Sequence, residues 1–197
     1  MESHGGYLCR LDSVDASNLV RVARQAIRLE GVKDPSDVSL LVSVIPERSL
    51  VRLAWDAPFT YGRSGARWYA THHELAVLVS RKLRTTVHAY VFDVNESEEV
   101  TSYGNGARVG GERLVLSDFE PPDDLEVDIA SDEAWFESLR AKWPLGHLAR
   151  VYGVTRDELI RMPRYATSVL LDLGSPGAKD IEALEALVTS PRARATG

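Results

Sequence analysis

Apolar positions early in the chain switch between two periods. Tyr7 to Leu11 alternates weakly and predicts a first strand, with Cys9 serving as a small hydrophobe. Leu19, Val22, Ala23, Ala26 and Ile27 then recur at helical spacing, predicting a helix from about Ser17 to Leu29 with Gly31 at its C-terminal cap. Val38 to Val44 and Leu50 to Trp55 are β-rich, and Ile45-Pro46-Glu47-Arg48 between them fits a hairpin connection. Thr71-His72-His73-Glu74 has the form of a capping box and opens a second helix through Leu75, Leu78, Val79 and Leu83. Strands are expected at Val87 to Val91, Glu98 to Tyr103 and Glu112 to Leu116. The last two are separated by Gly104-Asn105-Gly106 and Gly110-Gly111, and the Asn-Gly pair is a hairpin signal. The order β-α-β-β-α-β-β-β predicts the α+β class: an antiparallel-rich sheet with two helices covering one face.

Asp118-Phe119-Glu120-Pro121-Pro122-Asp123-Asp124 breaks this pattern, because acidic, proline-punctuated sequence continues neither a central strand nor a helix. Beyond it the texture is helical at Ser131 to Lys142, Pro144 to Tyr152, Thr155 to Met162 and Ile181 to Val188. Ala166 to Leu173 fits a buried strand or a helix equally well. The expected organisation is a sheet domain over 1–117, an acidic connector over 118–130 and a small helical C-terminal lobe over 131–197.

Composition narrows the setting. The longest apolar runs fall well short of the ~20 residues a membrane-spanning helix needs, and no signal peptide is legible, so a soluble cytoplasmic protein is expected. Its basic residues are 19 Arg and 4 Lys, a skew that fits a GC-rich, bacterial-type coding composition. The formal net charge of −6 is unevenly distributed. Residues 1–91 hold 12 basic and 9 acidic side chains, residues 92–130 hold 2 and 11, and residues 131–197 hold 9 of each. The dense middle band repels nucleic acid and suits a basic protein partner.

Most candidate catalytic motifs fail on spacing. Adjacent His72 and His73 point in different directions and lack the H-E-x-x-H arrangement of a zinc site. Gly62-Arg63-Ser64-Gly65 is one residue short of a nucleophile elbow. Gly104 to Gly111 lacks the Lys-Ser/Thr ending of a phosphate loop. Cys9 has no neighbouring base. No catalytic residue, metal or cofactor is therefore assigned, and an enzyme remains an alternative only if its site assembles from distant residues.

Two segments suggest binding. Leu148-Ala149-Arg150-Val151-Tyr152-Gly153-Val154-Thr155-Arg156-Asp157-Glu158-Leu159-Ile160 resembles a helix-turn-helix, with Ala149 at the crossing, Gly153 turning the chain and Leu159 anchoring the second helix. The resemblance implies a DNA-binding transcription regulator using 145–162, with Thr155, Arg156 and Arg161 facing bases. Asp157 and Glu158 oppose it, and the hairpin is expected to pack on the sheet instead, burying Leu148, Val151, Tyr152, Leu159 and Ile160. The second segment holds Trp55, Phe59, Tyr61, Arg63, Arg67, Trp68 and Tyr69 within 15 residues, and aromatics with Arg are the residue types enriched in binding hot spots. The leading expectation is a non-catalytic interaction protein, an immunity-type inhibitor or adaptor. Phe59, Tyr61, Arg63 and Arg67, together with acidic Asp123, Asp124 and Glu126, are its partner-binding residues.

Overall fold

A computed structural model describes residues 4–10, 14–32, 34, 36, 38–56, 73–93, 97–115, 142–160, 167–175 and 177–189. The fold is α+β. Its seven strands are β1 (His4–Arg10), β2 (Ser39–Ile45), β3 (Leu50–Asp56), β4 (Val87–Asp93), β5 (Ser97–Gly104), β6 (Ala107–Val115) and β7 (Thr167–Asp172). They form one antiparallel sheet in the order β6-β5-β4-β1-β3-β2-β7. The helices are α1 (Ala16–Leu29), α2 (His73–Lys82), α3 (Pro144–Tyr152), α4 (Arg156–Ile160) and α5 (Ala178–Thr189).

The two helices expected between the strands, α1 and α2, cover the same face, and the C-terminal helices add cover to both faces. On the first face, α1, α2 and α5 pack over Tyr7, Cys9, Leu40, Val42, Leu53 and Trp55. On the second, α3 and α4 pack over Leu8, Leu50, Tyr90, Phe92 and Val100. The central strands explain why two covers are needed. In β3, Leu50 and Arg52 project to one side and Val51 and Leu53 to the other, and all four are buried. Burying one such leucine contributes about 1.5–3 kcal/mol, so an uncovered face would forfeit several such terms.

Local chemistry sets the element ends. Asp15 caps α1 by accepting the Asn18 N–H at 2.6 Å, and Gly31 leaves the helix at φ 85°. Asn105 and Gly106, at φ 52° and 81°, form the tight turn between β5 and β6 that the Asn-Gly pair signals. β6 then begins directly at Ala107, so Gly110-Gly111 lies inside a strand and not in a turn.

Within the ambiguous segment, Thr167–Asp172 resolve as strand. Val169 and Leu171 face the first cluster while Ser168, Leu170 and Asp172 point outward, a period of two. β7 pairs with β2 from Ser39↔Asp172 to Val44↔Thr167, and the Ser43 and Ser168 hydroxyls meet at 2.9 Å. Within the span expected as a small helical C-terminal lobe, β7 joins the sheet edge, α5 packs on the first face and α3 with α4 on the second. The physical reason is that β2 offers an unpaired edge and the second face an uncovered apolar surface.

At the middle of the second face Arg52 is 4 % exposed. Its Nε donates to the Tyr90 hydroxyl at 2.6 Å and its Nη2 to the Gly5 carbonyl at 3.1 Å. Gly6 makes room for it, since a Cβ there would sit 2.8 Å from the Leu53 carbonyl oxygen and 3.1 Å from Arg52 Nε. Tyr7 Oη accepts the Trp55 indole N–H at 3.1 Å on the opposite face, and burial drives the Tyr7 hydroxyl far above its ordinary pKa.

Core and edge positions should separate clearly in unfolding experiments. Leu53→Ala is expected to cost about 2–5 kcal/mol, whereas Val109→Ala on β6 should stay within about 0.5 kcal/mol, both read from urea midpoints. Equal losses at the two sites would contradict the assignment of β6 as an exposed edge.

Candidate interaction surfaces

The helical hairpin is built by three local devices. Pro144 starts α3 at a position whose N–H needs no partner. Gly153 ends it at φ 67°, where the Gly153 and Val154 N–H groups donate to the carbonyls of Arg150 and Ala149. Thr155 and Glu158 then form a reciprocal capping box. The Thr155 Oγ1 accepts the Glu158 N–H at 3.1 Å, and the Glu158 carboxylate accepts the Thr155 N–H at 2.7 Å. Those bonds to Thr155, the backbone one foremost, hold Glu158 below its ordinary pKa.

The hairpin packs on the sheet. Leu148, Tyr152, Leu159 and Ile160 are buried as expected, but Val151 is 56 % exposed, a correction. On α3, Leu145, Leu148 and Tyr152 follow the buried stripe at three- and four-residue steps. Val151 falls beside that stripe, on the solvent side.

Arg156 points inward. Its Nη2 pairs with Glu98 Oε1, and the guanidinium lies 5.4 Å from the Trp143 ring and 5.7 Å from that of Phe92. Glu98 is 1 % exposed, and its second oxygen accepts the Leu145 N–H at 3.3 Å. Arg10 secures the other end of α3, donating from Nη2 to the Val151 carbonyl at 3.1 Å and lying 5.0 Å from the Tyr152 ring. Beneath this end His88 Nδ1 contacts Ser102 Oγ at 2.7 Å. Burial first, and then the Arg10 charge, lowers the His88 pKa.

Of the three residues assigned to DNA contact, Thr155 is used as a cap and Arg156 faces the sheet, while Arg161 lies outside the described residues. Phe59, Tyr61, Arg63 and Arg67 also lie outside them, as do Asp123, Asp124, Glu126, and Thr71 of the first capping box. Their anchor points are placed, however. β3 ends at Asp56 and β6 at Val115, and the strand registers put both ends on the same side of the sheet.

A surface missed in the sequence is β6 itself. Among the described strands it is the outermost on its side, exposed from Ala107 through Arg113, with Val109 64 % exposed and open space above Gly110. Its neighbours are sparse: Arg113 lies 4.0 Å from Glu99, and His147 Nδ1 lies 3.1 Å from Glu112. The signal for it was the Asn-Gly turn, since a tight turn after β5 requires a partner strand of similar length. Among the described residues no helix is long and apolar enough to cross a membrane. Comparison with protein-family models, curated proteins and solved structures finds no match to this chain.

Two outcomes test this geometry. Thr155→Ala is expected to destabilise by about 1 kcal/mol in chemical unfolding, through loss of the cap. His88 is expected to make stability depend on pH. Its folded pKa lies below the ordinary 6.5, so the unfolded chain takes up the proton first as pH falls. The His88 contribution is therefore full above that ordinary value and is lost as pH drops toward the folded one. His88→Gln should flatten the change in urea midpoint between about pH 7.5 and about pH 5; an unchanged slope would show that His88 does not contribute.

Proposed function

We propose that the protein is a non-catalytic interaction protein, an immunity-type inhibitor or adaptor, that binds a basic protein partner. The carrying observation is the β6 edge, a nine-residue outer strand with exposed side chains. An outer strand of this kind presents backbone N–H and C=O groups to which an extended segment of a partner can add, with side-chain contacts supplying selectivity.

Charge supports a basic partner. Asp118, Glu120, Asp123, Asp124, Glu126 and Asp128 follow β6 directly in sequence, with no basic residue among 116–130. Such a field accelerates encounter with a cationic surface and makes association sensitive to salt. The aromatic–Arg segment carrying Phe59, Tyr61, Arg63 and Arg67 follows Asp56 in sequence, and Asp56 and Val115 lie at the same end of the sheet. DNA is the weaker partner class, because the inward Arg156 and the carboxylates of Asp157 and Glu158 leave α4 poorly suited to phosphate.

The test is a pull-down from the native host with wild type, Val109→Lys and Asp123→Asn/Asp124→Asn. Wild type should capture one basic protein at low salt and release it at high salt. Val109→Lys should reduce capture at least about tenfold, since an edge lysine opposes strand addition. The double Asn variant should weaken capture and blunt its salt dependence. Micromolar binding of mixed-sequence duplex DNA that Arg156→Ala/Arg161→Ala abolishes would overturn the proposal in favour of a regulator.

A further inference from the structure

The first face carries a cleft between α1 and α5 that the interaction surface does not use. It is an open groove of about 540 Å³, lined by Arg21, Arg24 and Arg28, with Ser17 and Gln25 beside them. Val20 and Ile181 form its apolar side, and among the described residues no carboxylate lines it. The three arginines recur at positions i, i+3 and i+7, so one helix face points all three guanidinium groups along one groove. Among the described residues none of them is ion-paired. Arg21 Nη2 donates to Asn18 Oδ1 and Arg24 Nη2 to the Gly174 carbonyl at 3.2 Å, both neutral acceptors. Arg24 Nε is buried without a hydrogen-bond partner.

This arrangement opposes the fold's own interest. Like charges three and four residues apart destabilise a helix, and a buried guanidinium N–H without an acceptor loses solvation with no return. An anion in the cleft reverses both effects. Elsewhere the inward arginines meet a carboxylate or a hydroxyl, Glu98 for Arg156 and Tyr90 with Gly5 for Arg52, although Arg156 Nε is buried without a partner as Arg24 Nε is.

We propose that the α1–α5 cleft binds a small organic phosphate. The guanidinium fork donates in pairs to phosphate oxygens, and a chain of phosphates offers enough oxygens for three forks. The volume falls within the range of small-molecule sites, and Val20 with Ile181 gives an apolar body a surface to rest on.

The experiment is isothermal titration of the full chain at low salt with tripolyphosphate, ATP and citrate. Wild type should bind tripolyphosphate and ATP saturably, with ATP at least as tight, and citrate at least about tenfold more weakly. Arg24→Gln and Arg21→Gln/Arg28→Gln should each weaken binding at least about tenfold, and Arg113→Gln on the distant β6 should leave it within about twofold. The double variant changes only exposed side chains, so it carries the test if Arg24→Gln misfolds through loss of the Gly174 contact. Absence of saturable binding by wild type, or equal weakening in Arg113→Gln, overturns the site. Citrate as tight as tripolyphosphate overturns the phosphate assignment, and exclusion of ATP overturns an organic ligand.

Discussion

A carboxylate inside an apolar cluster constrains the second half of the molecule. Glu98 sits among Phe92, Val100 and Leu145 with almost no exposure, and an isolated charge in such a place would cost several kcal/mol. It is tolerable because three elements supply partners at once: β5 presents it, the start of α3 donates a backbone N–H, and α4 brings Arg156. Direction matters here as much as energy. A methyl or leucine at this position would pack, but it would not specify which end of the hairpin meets which strand. The aromatic rings of Trp143 and Phe92 near the guanidinium narrow its placement further.

The two faces of the sheet are organised differently as a result. The first is closed by apolar stripes on three helices, and its tolerance of substitution follows packing volume. The second combines a smaller apolar cluster with polar pins: Arg10 on the end of α3, Arg52 spanning β1 beneath Tyr90, and the Glu98–Arg156 pair. Arginine therefore acts in two distinct ways in this chain. On the second face its planar head is a structural tie, while on the outer side of α1 it remains available to a ligand.

Much of this was legible in the sequence, for reasons that can be traced. α1 and the two central hairpins follow from periodicity, and Thr155 with Glu158 follows from spacing alone, because a capping box is closed within four residues. The hairpin at 144–160 was recognisable as two helices and a turn, and its apolar positions indicated that it packs. Its ion pair was not, since Glu98 and Arg156 are 58 residues apart and nothing local marks either as buried. β7 was ambiguous for a related reason: a short apolar run fits a strand or a helix until an edge is available to pair with. β6 was shortened because Gly110-Gly111 reads as a turn when viewed alone. The α1 arginines read as an ordinary solvated helix face until α5, from the far end of the chain, supplies the opposite wall.

The pairing of β2 with β7 has a further meaning during synthesis. β2 and its hairpin partner β3 are neighbours in sequence, while the strand that covers the outer edge of β2 leaves the ribosome 125 residues later, measured from Ser43 to Ser168. Until it emerges, the backbone groups along that edge face solvent, next to leucines and valines already gathered under α1. Nascent chains crowded on one message would then meet through this edge, giving intermolecular sheets in place of the internal one. β7 thus acts as a seal on β2, and breaking the chain before residue 172 would leave a molecule that is folded in part and adhesive.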